Sequence, residues 1–169
     1  GAASRMRSSN DWRSLRRIRN LKPTRTAMPL TCEVTVDWEH PAPKPLGDED
    51  VGRLLRHGLA EEGRAGAWSF AFRFVDDGEI ARLHGAFMGD PSPTDIITFP
   101  YDPEDGEQGG DIVISVDTAT RNAAEHNWPV LRELRFLVLH GLLHVLGWDD
   151  ATDADRAAML ARQHELMDD

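Results

Sequence analysis

His140-Gly141-Leu142-Leu143-His144-Val145-Leu146-Gly147-Trp148-Asp149-Asp150 reads as the end of a helix followed by a tight return. Each helical residue turns the chain by about 100°, so histidines four apart lie about 40° apart around the axis. Both imidazoles then reach one metal ion from the same face. Gly147 stands where a glycine takes the left-handed conformation that ends a helix, and the returning chain brings the carboxylate of Asp150 back to the histidines. Three protein ligands with the fourth place open is the pattern of a catalytic zinc site. His–His–Asp suits zinc best, although nickel, cobalt and manganese also accept imidazole and carboxylate.

Working outward, the helix that carries the histidines spans about 130–146 and is apolar almost all round, from Leu131, Leu134, Phe136 and Leu137 to Leu142, Leu143 and Leu146. Such a helix is central and buried. Two imidazoles on it without partners would each cost about 1–3 kcal/mol in unmet hydrogen bonding, and a shared ion removes that cost. His40, His57, His126 and His164 carry no such implication and read as ordinary core or surface residues.

Upstream, Thr31–Trp38 alternates with β-branched residues and predicts a strand. Residues 48–62 repeat apolar positions at helical spacing, with Asp48 as the expected N-cap. Strands are expected at 68–75, 95–100 and 110–115, with helices at 79–86, from an Asp117 cap to about Asn127, and at 153–167. The last helix places Ala157, Leu160, Ala161 and His164 at core spacing. The order β-α-β-α-β-β-α-α-α predicts an α+β fold, a small mixed β-sheet covered by helices with a zincin-like metal helix.

Of the 19 Lys and Arg residues, eight fall in residues 1–27 beside Asp11 alone, so the remainder holds 11 basic against 28 of the 29 acidic residues. Residues 1–27 are expected to form a disordered basic N-terminal extension, with 28–169 as one domain. The extension reads as an over-extended start with Met28 the true initiator, as an organelle transit peptide, or as an RNA-binding arm. The acidic body argues against a nucleic-acid partner, since phosphate contacts need Lys or Arg. No apolar run approaches the roughly 18 residues of a membrane span, and Cys32, the single cysteine, permits no internal disulfide.

The spacing His-x-x-x-His-x-x-Gly-x-x-Asp also matches a metallopeptidase signature, but the general-base glutamate that should follow the first histidine is Gly141. Metal geometry without that base points to another kind of hydrolase. A glycine inside a helix costs about 1 kcal/mol relative to alanine, which implies that something packs closely there.

The stretch from His140 to Asp150 resembles the signature of the YbeY endoribonuclease family, and three other blocks agree in order and spacing. These are Phe74-Val75-Asp76-Asp77 with Ile80 and Leu83, Pro93-Thr94-Asp95-Ile96-Ile97-Thr98-Phe99-Pro100, and Gly110-Asp111-Ile112-Val113-Ile114-Ser115. The resemblance covers about residues 31–167. It implies a cytoplasmic, single-strand-specific, metal-dependent endoribonuclease of 16S rRNA 3′-end maturation and ribosome quality control. Its expected partners are single-stranded ribosomal RNA and the small subunit, not DNA, with one Zn2+ per chain on His140, His144 and Asp150. Thr94, Asp95 and Thr98 are expected to line the substrate cleft. Two departures stand out. The family's usual third ligand is a histidine where this chain has Asp150, and its usual arginine and asparagine align with Met88 and His84. Arg73 or Arg82 is then a candidate substitute for the arginine, with weaker catalysis as the other outcome, and no catalytic residue is assigned beyond the metal ligands. A ribosome-assembly binding module with a mainly structural zinc is the competing reading.

Overall fold

The computed structural model describes residues 28–168. The expected N-terminal extension, residues 1–27, lies outside them. Strand β1 spans Thr31–Trp38, helix α1 Asp48–Glu61, β2 Ala67–Val75 and α2 Asp77–Met88. They are followed by β3 Ile96–Pro100, β4 Gly109–Ser115, α3 Val116–His126, α4 Val130–Val145 and α5 Asp153–Asp168. A single 3-10 turn, Pro103–Asp105, interrupts the acidic link between β3 and β4.

The sheet order is β1-β2-β4-β3. The β1–β2 and β2–β4 pairs are parallel and β3 runs antiparallel to β4, so the expected mixed sheet in an α+β fold is what the chain forms. Side chains alternate across a strand, and each face buries a different set. Phe70, Phe72, Phe74, Ile112 and Ile114 pack with Leu55, Leu139 and Leu142 in the main core, on the side of α1 and α4. Ile97 and Val113 pack with Ile80 and Leu83 of α2 in a smaller cluster. The register pairs Thr98 with Ile112 and Ile97 with Val113. Thr98 therefore points to the α4 side while its neighbours Ile97 and Phe99 face α2.

Helix ends depart from expectation at several points. The N-cap of α1 is Gly47, not Asp48, and its N–H donates to the Asp50 carboxylate at 3.1 Å. Helix α2 begins two residues early because Asp76 caps it, accepting from the Glu79 N–H at 2.8 Å. Ser115 caps α3, accepting from the Thr118 N–H at 3.1 Å. Asp117 is engaged elsewhere, with His40 Nε2 at 2.8 Å and the Asp77 N–H at 2.9 Å. Asp77 itself accepts from Ser115, Thr118 and Arg121. Although burial alone would raise its carboxyl, these three donors outweigh burial and hold it below the usual range. This clasp ties the C-terminal ends of β1, β2 and β4 together.

The core face of α5 is also corrected. Met159, Gln163 and Leu166 are its buried residues, whereas Ala157, Leu160, Ala161 and His164 are exposed. The apolar spacing misleads because the true seam contains a glutamine, whose buried amide has specific partners described below.

Candidate metal centre

Helix α4 ends in hydrogen bonds that turn the chain back on itself. The Gly147 N–H donates to the His144 carbonyl at 3.0 Å and the Trp148 N–H to the Leu143 carbonyl at 2.9 Å, the paired closure of a Schellman motif. Gly147 has φ +99°, a conformation that side chains with a Cβ rarely take. The chain then returns past Asp149, whose Oδ1 accepts from the N–H groups of Asp150 and Ala151 at 2.8 and 3.1 Å. That duty occupies Asp149 in the turn and leaves Asp150 to face the histidines. Thr152 follows immediately before α5, its hydroxyl accepting from the Asp155 N–H at 3.0 Å.

The result is a triangle of donor atoms. His140 Nε2 and His144 Nε2 lie 3.0 Å apart, and Asp150 Oδ2 lies 3.7 Å from the first and 3.4 Å from the second. Among the described residues this is the one group of three or more His, Cys, Asp or Glu whose ligand atoms all lie within 4.8 Å of one another. Ligands 2.0–2.2 Å from a tetrahedral ion stand about 3.3–3.6 Å apart, so the triangle has the right size to hold one.

The opposite ring nitrogens explain why a cation suits the space. His144 Nδ1 sits 3.1 Å from the Trp148 carbonyl oxygen, which can only accept, so Nδ1 carries the hydrogen. His140 Nδ1 sits 3.0 Å from Gln163 Oε1 and is likewise the donor. In the neutral rings both Nε2 atoms then bear lone pairs, and at 3.0 Å two lone pairs repel unless something positive lies between them. Backbone carbonyls, carboxylates or waters behind metal-binding imidazoles usually fix ring orientation; here a backbone carbonyl stands behind His144 and a side-chain amide oxygen behind His140.

The surroundings hold this turn firmly. Trp148 Nε1 donates to Glu62 Oε1 at 2.6 Å, and Arg162 Nε donates to Glu62 Oε2 at 2.8 Å, so α1, the turn and α5 are joined through one carboxylate. Gly141 faces the sheet. A Cβ there would lie 2.9 Å from Ile112 Cδ1 and 3.2 Å from Ile96 Cδ1, so the glycine permits the close approach of α4 to the sheet. A glutamate at this place has no room, which removes the peptidase base on steric grounds as well as by sequence.

Beside the triangle opens a cleft of about 410 Å³, lined by Met88, Thr94, Asp95, Thr98, His140, His144 and Asp150 among others. All three sequence-expected cleft residues thus lie next to the candidate ligands. Neither Arg73 nor Arg82 lines it. Arg73 donates to Glu39 at 2.7 Å and to Glu79 at 2.8 Å, and Arg82 donates to Glu79 at 2.7 Å. Their hydrogen bonds, Arg82's first, pull the Glu79 carboxyl down to about 2. His84 is used locally, its Nδ1 lying 2.8 Å from the Ser92 carbonyl oxygen. A second hollow of about 400 Å³ between α1, α4 and α5 is lined by Leu54, His57, Leu131 and Leu166 among others. Among the described residues it brings no converging set of ligand atoms together.

The sequence model of the family described as Endoribonuclease YbeY matches residues 39–169. The chain belongs to the endoribonuclease YbeY family. Among its YbeY relatives, the Endoribonuclease YbeY of Synechococcus sp. (strain RCC307) is 39% identical over 148 residues, covering 79% of this chain and 92% of that one. That of Moorella thermoacetica is 39% identical over 137 residues, covering 73% and 88%. The solution structure of TM1509 from Thermotoga maritima matches with a TM-score of 0.54 and 27% identity, over 80% of this chain and 87% of that one. YbeY membership outweighs the acidic composition, which on its own argued against a nucleic-acid partner, and agrees with the RNA partner that the motifs implied. Bulk charge describes the whole surface and says little about one cleft. Among the described residues no helix is long and apolar enough to cross a membrane.

Sequence reasoning missed Gln163, Trp148 and Glu62 as parts of the centre. Gln163 lies off the core spacing expected for the last helix, so its own neighbourhood carried no signal for the first.

Proposed function

We propose that this chain is a cytoplasmic zinc-dependent endoribonuclease of ribosomal RNA processing, acting on single-stranded RNA at the 3′ end of 16S rRNA in the small subunit. The RNA-cleaving activity follows from family membership. The single observation that carries the site assignment is the convergence of His140 Nε2, His144 Nε2 and Asp150 Oδ2 beside the open cleft. His140, His144 and Asp150 would hold one Zn2+, which when bound would supply a Lewis acid to polarise a phosphoryl oxygen and acidify water.

The chain's own residues do the rest. Gln163 and the Trp148 carbonyl hold the imidazoles by their Nδ1–H groups and so keep both Nε2 atoms turned to the cleft. Asp150 adds a negative charge where the family usually has a neutral imidazole, which lowers the net positive charge of the loaded centre. Thr94, Asp95 and Thr98 form the wall on which the RNA strand lies, the threonine hydroxyls serving as donors to phosphate or ribose oxygens. Among the described residues no lysine or arginine lines the cleft, and its open shape admits one strand. The attacking group is water or the RNA's own 2′-OH.

Incubating the purified protein with an RNA of one sequence, as a single strand and annealed to its complement, tests this reading. Cleavage of the single strand, lost with a chelator and restored by zinc, is expected, with the duplex left intact. Equal cutting of both, or cutting unaffected by the chelator, overturns it. Binding to small ribosomal subunits with no cleavage of any single strand would favour the assembly-module reading instead.

A further inference from the structure

Gln163 is 1% exposed and sits on the inner face of α5, a helix otherwise remote from the cleft. Its amide has two partners. Nε2 lies 3.3 Å from the Phe136 carbonyl oxygen and Oε1 lies 3.0 Å from His140 Nδ1. A carbonyl only accepts, so the NH2 end of the amide must face Phe136, and this fixes the amide's orientation. The oxygen end then faces His140, and an oxygen there can only accept. His140 must therefore carry its hydrogen on Nδ1 and present a lone pair at Nε2. The Phe136 carbonyl, one helical turn before His140 on the same helix, thus dictates the tautomer of the ring through a single buried amide.

We infer that Gln163 is a positioning residue that sets the tautomer and ring angle of His140, and so the strength with which the centre holds its ion. The inference rests on the metal reading above. Two features separate it from ordinary core packing. Buried polar side chains are costly unless satisfied, and Gln163 is one of only three buried polar or charged residues among those described. Its neighbours on the buried face, Met159 and Leu166, are apolar. Loss of an acceptor behind a metal-binding imidazole typically costs about 10–100-fold in metal affinity.

The test measures zinc affinity of the full chain by competition with a chromophoric chelator, together with the visible spectrum of the cobalt-loaded protein. Thermal unfolding of the metal-free forms runs alongside to separate stability from binding. Gln163→Met keeps the length and removes the amide, and about a 10–100-fold loss of zinc affinity is expected, with altered cobalt bands. Gln163→Glu keeps an acceptor for Nδ1–H while losing the donor to Phe136, and it is expected to restore affinity to near the unaltered value even where it unfolds earlier. Unaltered protein that binds zinc, with Gln163→Met binding equally well, overturns this inference and leaves the metal reading standing. Unaltered protein that binds zinc no better than His140→Ala overturns the metal reading itself. If Gln163→Met does not fold, the nitrogen-15 spectrum of the metal-free unaltered chain decides, because a His140 hydrogen on Nδ1 supports the positioning role and one on Nε2 refutes it.

Discussion

Replacing Gly141 with alanine sets two effects of opposite sign against each other. At an open helical position alanine in place of glycine gains about 1 kcal/mol. At Gly141 the added methyl meets Ile112 Cδ1 at 2.9 Å, Ile112 Cγ2 at 3.1 Å and Ile96 Cδ1 at 3.2 Å. Carbon atoms prefer about 3.5–4.0 Å, so relief needs a displacement of roughly half an ångström or more. Ile112 is fully buried and has little room to yield, which leaves α4 to lift from the sheet. Overpacking of this kind costs about 1–3 kcal/mol. Net of the helical gain, destabilisation of about 1 kcal/mol is expected, a fall in Tm of about 2–4 °C for a chain of this size. The displaced helix carries His140 and His144, so zinc affinity should fall as well. Differential scanning calorimetry of the metal-free protein and chelator competition of the loaded form measure the two effects. A rise in Tm with zinc affinity unchanged refutes the close-packing explanation of Gly141.

Three further outcomes follow from the site and the charge pattern. Asp150→His, which replaces a charged ligand with a neutral one, should retain zinc and move the pH–rate profile of cleavage to lower pH. An unchanged profile would mean that Asp150 does not contact the ion. Met88→Arg places a fixed cation on the cleft wall, and single-turnover cleavage should rise, with an upper scale of about 10²–10³ set by what one preorganised donor is worth; no gain would mean that position 88 does not face the reacting phosphate. Glu79 is held at about 2 by its arginine partners, below its ordinary value of 4.5. Its folded-state pKa is depressed, so its contribution to stability is complete above the ordinary value and disappears as pH falls towards 2. Melting temperature followed from pH 6 down should therefore drop more steeply for the unaltered chain than for Glu79→Gln.

Much of the centre is legible in the sequence because it is local. Helical spacing alone brings His140 and His144 together, and Gly147 with the following turn supplies Asp150, all within eleven residues. The four strands are legible in chain order for a similar reason, since alternation marks β1 and β2 and short apolar runs mark β3 and β4. What escaped depends on which element lies against which. Gln163 gains its role only when α5 crosses α4 at Phe136, and nothing in its own neighbourhood announces that crossing. Asp48 and Asp117 both look like caps by type. The backbone instead gives those duties to Gly47 and Ser115, while Asp117 is claimed by His40, 77 residues away. Arg73 and Arg82 looked free to replace a missing arginine, yet Glu39 and Glu79 hold Arg73 and Glu79 holds Arg82, away from the cleft. Overall charge misled about nucleic acid because composition averages over a surface of which the cleft is a small part.

The most direct measurement combines metal analysis with RNA cleavage on the same preparations of unaltered protein and His144→Ala. A metal centre built on His140, His144 and Asp150 gives about one zinc per unaltered chain and chelator-sensitive cutting of single-stranded RNA, with both lost in His144→Ala. Cleavage by His144→Ala at the unaltered rate, or full zinc content in that variant, would contradict the assignment of the site.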